Sequence, residues 1–515
     1  MTPDYTMTLQ ALFPNSNLPP GSALQQVTGI SNDSRRIQGG DLFLACPGGS
    51  QGPNNQDGGR YIEAAIASGA VAIACEEGSG TGFGSDPCSS KESGARALTV
   101  PVIEVKDIAR RQAELASRFY RQPSQALQMI GITGTNGKTS CSHFIAQALT
   151  GLGRKTALIG TTGNGFAGAL ETTTHTTPNA VRLQQLLARF RDQGAEAVAM
   201  EASSHALDQQ RVAEIAFDLA VFTNLSRDHL DYHGSMETYA EVKARLFLDT
   251  GITQAVINTD DAFGRQLLQR LPASVDAIAI GEQLQPGTRQ LQILRSRLHS
   301  GGIEATIASP WGELQISTAL LGYFNLYNLL SALGVLLLGG VESGAAVAVL
   351  NQLEGVEGRM QAFKKDNKPL LVVDYAHTPD ALDKALASLR EHCDGQLWCL
   401  FGCGGDRDRG KRPLMAQVAE LRADRLVISS DNPRSEEPEA IIDELMAGLK
   451  WPARALRQAD RRLAIETVIA QAAPGDVVLI AGKGHEAYQE IKGVRYPCSD
   501  IEIVRGCLGA VDAVY

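Results

Sequence analysis

Short apolar runs separated by longer amphipathic stretches make up most of this chain, and that alternation predicts strands followed by helices. In the first hundred residues the strand-like runs are Asp41–Ala45, Val71–Cys75 and Pro101–Val105, with one helix near Tyr61–Ser68. A helical pattern over Ile108–Tyr120 leads into the apolar run Leu127–Ile132 and a second helical pattern, Cys141–Leu149. Further strands are predicted at Ala157–Gly160, Ala195–Met200, Phe217–Thr223 and Ala255–Asn258, which implies a mostly parallel, doubly wound sheet. Between Leu291 and Leu320 the runs shorten and are broken by Ser300-Gly301-Gly302 and Pro310-Trp311-Gly312, a pattern for antiparallel hairpins. A helix follows at Asn325–Leu338. After Val356 a second alternating block begins, with strands at Leu370–Asp374, Leu397–Phe401, Arg425–Ser429 and Val477–Ala481, each expected to lead into a helix. The chain therefore reads as an α/β protein of three domains: a small α/β domain over 1–107, a doubly wound domain over 108–356 and a Rossmann-like domain over 357–515.

Composition narrows the class of protein. With 43% hydrophobic and 20% charged residues the chain is that of a globular enzyme. A formal net charge of −10 argues against a nucleic-acid partner, which would demand a basic surface. No apolar run reaches the length of a membrane span, and the first ten residues lack the charged and apolar regions of a secretion signal. Nine scattered cysteines with no C-x-x-C pair fit free thiols in a reducing cytoplasm. The Gly/Ser-rich stretch Gly78–Gly94 reads as a surface insertion.

The strongest chemical signal is G-I-T-G-T-N-G-K-T over Gly131–Thr139, set between a predicted strand and a predicted helix. Gly134 and Gly137 let the backbone curl so that its N–H groups converge on a phosphate at a helix N-terminus. Lys138 is placed to neutralise β- and γ-phosphates, and Thr139 to ligate Mg²⁺. The generic phosphate-loop pattern has a glycine five residues before Gly137, where this chain has Ile132, so the loop is a shorter variant.

Other signals are weaker taken singly. Glu201 closes an apolar strand in M-E-A-S-S-H and reads as a second Mg²⁺ anchor, or as a carboxylate favoured by a helix start. His229 and His233 are spaced i, i+4, but no H-E-x-x-H or nearby cysteine supports zinc, and their spacing alone favours a structural role. Lys243 falls in the amphipathic stretch Met236–Phe247 and reads as a solvated helix lysine. Asp33-Ser34-Arg35 and Ser50-Gln51-Gly52 read as ordinary turn chemistry. Three polar loops follow successive strands of the last block: Asp406–Arg412, Asp431-Asn432-Pro433-Arg434 and Gly482-Lys483-Gly484-His485-Glu486. Together they mark the edge of a cleft.

Taken in order, these motifs resemble the Mur ligase family, the ATP-dependent amide-forming enzymes of peptidoglycan precursor synthesis. The resemblance runs through D-S-R at Asp33, T-G-T-N-G-K-T at Thr133, T-T-P at Thr176, M-E-A-S-S-H at Met200 and T-N-L-S-R-D-H-L-D-Y-H at Thr223. It continues through E-G-R-M at Glu357, V-V-D-Y-A-H-T-P-D at Val372, F-G-C-G-G-D-R-D at Phe401, D-N-P-R at Asp431 and A-G-K-G-H-E at Ala481.

The resemblance implies roles that spacing alone does not supply. It places ATP at Gly134, Thr135, Asn136, Gly137, Lys138, Thr139, Ser140, Asn328, Arg359 and Asp374. It places the UDP-N-acetylmuramoyl dipeptide at Asn32, Ser34, Ser50, Gln51, Gly52, His175, Thr176, Thr177, Ser203, Gln209 and Arg211, with the N-terminal domain gripping the uridine. It places meso-diaminopimelate at Arg407, Asp431, Asn432, Pro433, Arg434, Gly482 and Glu486. Two Mg²⁺ are implied, with Thr139, Glu201, His229 and Lys243 as ligands, Lys243 as a carbamate. The implied catalytic set is Lys138, Glu201, His229 and Lys243. The implied reaction phosphorylates the D-Glu carboxylate and lets the diaminopimelate amine attack the acyl phosphate, inside domains that close on three small-molecule substrates. A cytoplasmic monomer without nucleic-acid or membrane partners is expected. A lysine-adding relative and a catalytically silent scaffold are the alternatives.

Overall fold

The structure is a computed structural model that describes residues 5–47, 58–78, 99–173, 175–299 and 301–509. The chain divides into two compact units. The first takes Met1–Thr133, Arg154–Ala220 and His229–Thr253; the second takes Gly134–Gly153, Val221–Asp228 and Gln254–Tyr515.

The first unit holds a four-stranded parallel sheet in the order Gly29–Ser31, Asp41–Ala45, Ala72–Glu76, Val102–Val105. Along Asp41–Ala45, Leu42 and Leu44 enter one core cluster while Phe43 and Ala45 enter another. Both faces of the sheet are therefore covered, which is why these strands read as unbroken apolar runs. Its second sheet region pairs Ala197–Glu201 in parallel with both Gln128–Thr133 and Thr156–Gly160. An antiparallel extension follows through Gly163–Phe166 and Ala169–Glu171.

In the second unit Gln254–Asn258, Asp276–Gly281 and Arg289–His299 run parallel. The strands Gly302–Ser309 and Gly312–Thr318 then return antiparallel, as the broken alternation predicts. The helix Lys138–Gly151 packs against the largely buried helix Tyr323–Leu338.

The last sheet has the order Gln361–Phe363, Leu370–Asp374, Val477–Ala481, Leu397–Phe401, Arg425–Ile428, Ala455–Arg457, parallel except for its first strand. Val477–Ala481, the last of these strands in the chain, is inserted between the second and third. Alternate residues again feed two cores, Leu370 and Val372 on one face and Leu371 and Val373 on the other. The order sets the carboxyl ends of Val477–Ala481, Leu397–Phe401 and Arg425–Ile428 side by side, so the three polar loops converge.

Most predicted elements are present with ends moved by one or two residues. The phosphate-loop helix starts at Lys138, three residues earlier than its apolar pattern. One expectation fails: Val477–Ala481 does not lead directly into a helix. A hairpin of Tyr488–Ile491 with Val494–Pro497 intervenes before the helix Asp500–Leu508. Lys492 and Gly493, at φ 49 and 78, form the two-residue turn with both φ positive that suits strand twist. Ser50, Gln51 and Gly52, and the stretch 79–94 of the proposed insertion, lie outside the described residues. Among the described residues no helix is long and apolar enough to cross a membrane.

Candidate active site

The phosphate loop is built by backbone geometry. Gly134 has φ +148, and a Cβ there would lie 2.0 Å from the Thr223 hydroxyl; Gly137 has φ +86, and a Cβ there would lie 2.6 Å from Asn328 Oδ1. Only glycine meets both demands. The segment Thr223–Ser226 fastens the loop. The Thr223 hydroxyl donates to Asn136 O at 2.6 Å, Asn136 N–H donates to Asn224 Oδ1 at 3.0 Å, and the Thr135 hydroxyl donates to Ser226 O at 3.1 Å. These supporting residues were not assigned a role in the sequence, although T-N-L-S was part of a quoted motif. Their isolated hydroxyls and amides carry no local signal.

Lys138 is half-buried, and its ammonium donates to Gly134 O at 3.0 Å and Thr135 O at 2.9 Å, inside the curl of the loop. Thr139 and Ser140 are buried in the same first helical turn. Asn328 is buried beside Gly137, its amide donating to Asn325 Oδ1 at 3.0 Å. The Arg359 guanidinium lies 4.4 Å from the centroid of the Tyr375 ring, and its Nε is buried without a hydrogen-bond partner. Asp374 accepts from Met360 N–H at 2.7 Å and Ala376 N–H at 2.8 Å. Burial pushes its carboxyl up, against the lowering influence of Arg359.

In the first unit Glu201 is the last residue of its strand and 1% exposed. The following helix begins only at Ser204, capped by Ser203, so Glu201 is not a helix-start carboxylate. Its Oε1 accepts from Thr161 N–H at 2.8 Å and its Oε2 from the Thr161 hydroxyl at 3.2 Å. Thr176 joins this group through a 3.0 Å contact between its hydroxyl and that of Thr161. The buried Thr177 hydroxyl donates to Glu201 O at 2.8 Å, and Ser203 N–H donates back to it at 3.1 Å. Lys243 overturns its sequence reading. It is 1% exposed, with its ammonium 4.4 Å from the Tyr239 ring centroid, because the helix Met236–Leu248 is buried on more than one face. His205 packs edge-on to His229 with centroids 4.9 Å apart; burial first, then His229 and His233, lower the His205 pKa to about 4.

A cavity of about 2260 Å³ also lies in this unit. Asn32, Ser34, His175, Gln209 and Arg211 line it, whereas Thr176, Thr177 and Ser203 do not. Arg36, Arg182 and Arg189 line it too and were not anticipated, since each reads in sequence as an isolated charge. Burial, then Arg36 and Arg189, lower the pKa of Arg182, and burial lowers that of Arg211. Arg182 and Arg189 share the Glu171 carboxylate, and Asp33, Asp41, Asp192 and Asp208 also line the cavity; arginines still outnumber these aspartates on the wall, which suits an anionic ligand.

The third cluster lies at the carboxyl ends of the last sheet. Arg434 is half-buried at φ 50, and its Nη1 donates to Gly405 O at 2.8 Å. Gly405 is required there because a Cβ would lie 2.0 Å from Pro433 O. Asp431, Asn432 and Pro433 are buried, and Asn432 donates to Glu486 Oε2 at 2.7 Å. Lys483, fully buried, stands 3.6 Å from the same carboxylate. A Cβ at Gly482 would lie 2.5 Å from Asp431 Oδ2, which brings the two loops into direct contact. Arg407 is exposed at the rim.

Among the described residues no three His, Cys, Asp or Glu side chains converge as a metal cage. The buried Glu201 carboxylate is a hard oxygen donor of the kind Mg²⁺ takes, an ion held by one or two carboxylates with water and substrate phosphates completing its shell.

Three family models match consecutive stretches of the chain: the Mur ligase family catalytic domain over 26–120, the Mur ligase middle domain over 132–336 and the Mur ligase glutamate ligase domain over 358–484. The chain belongs to the Mur ligase family, with its three-domain α/β fold. It is 49% identical over 504 residues to a UDP-N-acetylmuramoyl-L-alanyl-D-glutamate–2,6-diaminopimelate ligase of Pseudomonas aeruginosa, covering 98% of each chain. A solved structure of a ligase with the same description shares 38% identity at a TM-score of 0.69, covering 98% of this chain and 99% of that one. A MurF ligase from Thermotoga maritima, solved in complex with ADP, is similar in fold, with a TM-score of 0.62 at 18% identity and cover of 93% and 96%.

Proposed function

We propose that this protein is an ATP-dependent ligase that joins meso-diaminopimelate to the D-Glu carboxylate of UDP-N-acetylmuramoyl-L-alanyl-D-glutamate in peptidoglycan precursor synthesis. The domains are bounded near residues 107 and 356, and the enzyme works in the cytoplasm.

The large cavity receives the UDP-sugar dipeptide, its diphosphate met by the crowded arginines. The loop Gly134–Ser140 receives the ATP phosphates on its N–H groups and on Lys138, and Asn328, Arg359 and Asp374 complete the nucleotide site. The orphaned Arg359 Nε is a donor waiting for an anion. Two Mg²⁺ are expected, with Thr139 as a ligand in the second unit and Glu201, His229 and Lys243 as a carbamate as ligands in the first; when bound, they would offset charge on the transferred phosphoryl. Carbamylation suits the burial of Lys243, since it exchanges a desolvated ammonium for an anion that a metal can pair. The D-Glu carboxylate attacks the γ-phosphate and ADP leaves. The diaminopimelate amine then attacks the acyl carbonyl, phosphate leaves, and the amine proton passes to solvent.

Arg434 carries the choice of amino acid. Meso-diaminopimelate differs from lysine by a carboxylate at the far end of its side chain, and a planar guanidinium meets a carboxylate with two parallel hydrogen bonds. Glu486, beside Asn432, receives the neighbouring ammonium. The test is ADP release in the presence of the UDP-dipeptide, ATP and either amino acid. Meso-diaminopimelate should drive turnover and L-lysine should not. Equal use of both would remove the amino-acid assignment, and ADP release independent of any amino acid would remove the ligase reading.

A further inference from the structure

Beneath the loops assigned to the amino acid sits an ion pair that the reaction does not use directly. Arg461 and Asp500 both have side chains that are 0% exposed. Each occupies the first turn of its helix, Arg461–Gln471 and Asp500–Leu508, with Asp460 and Ser499 as the respective caps. Arg461 Nε donates to Asp500 Oδ1 at 2.7 Å and Nη2 donates to Oδ2 at 2.7 Å, a two-pronged pair. The fork has further donors, and they do not point at random. Nη1 donates to Ser430 O at 3.2 Å and Nη2 also donates to Ala481 O at 3.0 Å.

Ser430 immediately precedes Asp431-Asn432-Pro433-Arg434, and Ala481 immediately precedes Gly482-Lys483-Gly484-His485-Glu486. One rigid guanidinium therefore holds the last carbonyl before each of the two loops. The strand Leu397–Phe401 separates their parent strands in the sheet, so those strands do not pair at the level of Ser430 and Ala481. Farther out, Arg434 N–H donates to Glu490 O at 2.9 Å and Lys492 N–H to Arg434 O at 2.6 Å, which ties the Arg434 loop to the hairpin that follows the other loop. The arrangement continues above the pair. Gln489 donates to the Ser430 hydroxyl at 3.0 Å and to Asp431 O at 2.5 Å, and Lys483 donates to Tyr488 O.

We propose that the buried Arg461–Asp500 pair is a positioning device that fixes the separation of the Arg434 loop from the Glu486 loop, and so sets the fit for the amino-acid substrate. A fully buried ion pair is weak evidence for stability, because desolvation offsets much of its attraction, but its geometry is exacting. Lysine at 461 would keep the charge and lose the fork, so it could not reach the carboxylate and both carbonyls together. This inference rests on the assignment of the two loops to diaminopimelate made above.

The experiment compares wild type, Arg461→Lys and Asp500→Asn as full-length proteins, in two arms. In the first, KM is measured separately for meso-diaminopimelate, ATP and the UDP-dipeptide. Both variants should raise the diaminopimelate KM on the order of 10- to 100-fold, as expected for a displacement near 1 Å, and leave the other two KM values unchanged. In the second, amide hydrogen exchange without any ligand should speed up over 430–434 and 481–486 and stay unchanged over the strand 370–374. A parallel rise in all three KM values, an unchanged diaminopimelate KM, or uniform exchange across the sheet would overturn the proposal. So would failure of both variants to fold, which would assign the pair to stability alone. If wild type shows no diaminopimelate-dependent turnover, the functional reading fails while the exchange arm still decides whether the pair positions the loops.

Discussion

Two loops of the second unit, the ones proposed to receive an ATP phosphate and a substrate carboxylate, are built by opposite means. The phosphate loop relies on its backbone, with glycines at φ +148 and +86 and hydrogen bonds exchanged with Thr223–Ser226. The loop Asp431–Arg434 relies on side chains. Arg461 and Asp500 hold its entrance, and at its exit the buried Arg412 donates to Glu436 at 2.7 and 2.9 Å, to Glu444 at 2.8 Å and to Gly404 O at 3.3 Å. A backbone cradle takes any phosphate of the right size, because N–H groups read charge and curvature alone. A braced guanidinium reads the shape and position of one carboxylate, which is what discrimination between two similar amino acids requires.

The comparison breaks most visibly at Arg434. Wild type should prefer meso-diaminopimelate over L-lysine by roughly 10,000-fold in kcat/KM, since lysine offers no carboxylate to the guanidinium donors that Gly405 O leaves over. Arg434→Ala should lose most of that preference while still releasing ADP with the better substrate; undiminished preference would place selectivity elsewhere. Lys138→Ala should cut phosphoryl transfer about 1,000-fold or more, the cost of removing a charge that stabilises the transition state. Single-turnover ADP formation checks this, and normal turnover would take the phosphate loop out of the mechanism.

Gly137→Ala sharpens the backbone side of the contrast. A left-handed alanine costs about 1–2 kcal/mol, and its Cβ would meet Asn328 Oδ1. Urea titration should therefore show a lower midpoint, with nucleotide affinity falling and selectivity between amino acids unchanged.

The smallest effect concerns acid. The Arg412 guanidinium, with help from Asp406 N–H, lowers the Glu436 pKa from 4.5 to about 2. A depressed carboxyl contributes stability that is complete above its unfolded value and is lost as pH falls through its folded one. Glu436 should therefore add to the loss of stability between pH 4.5 and 2, and Glu436→Gln should flatten that part of the pH profile. An unchanged slope would show that the brace carries no charge-dependent stability.

Much of the second unit was legible because its signals are local. Leu370–Asp374, Leu397–Phe401 and Val477–Ala481 matched the predicted runs residue for residue, since both faces of that sheet are buried and every position before the terminal Asp374 is apolar. The hairpin after Ala481 was missed because neither strand has a buried face, Tyr488–Ile491 being half-buried throughout and Val494–Pro497 exposed, so no hydrophobic alternation marks it. The loops at the strand ends were legible as a group, because polar residues after successive parallel strands have only one side of a sheet to occupy.

The sequence by itself determined the alternation of strand and helix, the glycines of the phosphate loop and the order of the motifs. All of these depend on neighbours within a few residues, where the geometry of the chain leaves little choice. Tertiary structure alone decided that Lys243 is buried, that Arg36, Arg182 and Arg189 crowd one cavity wall, and that Arg461 pairs with Asp500 while reaching Ser430 O and Ala481 O. A lone lysine or arginine on a helix looks solvated in any local window. Whether it meets water, a ring or a carboxylate 39 positions away is set by which faces the packed elements turn toward each other.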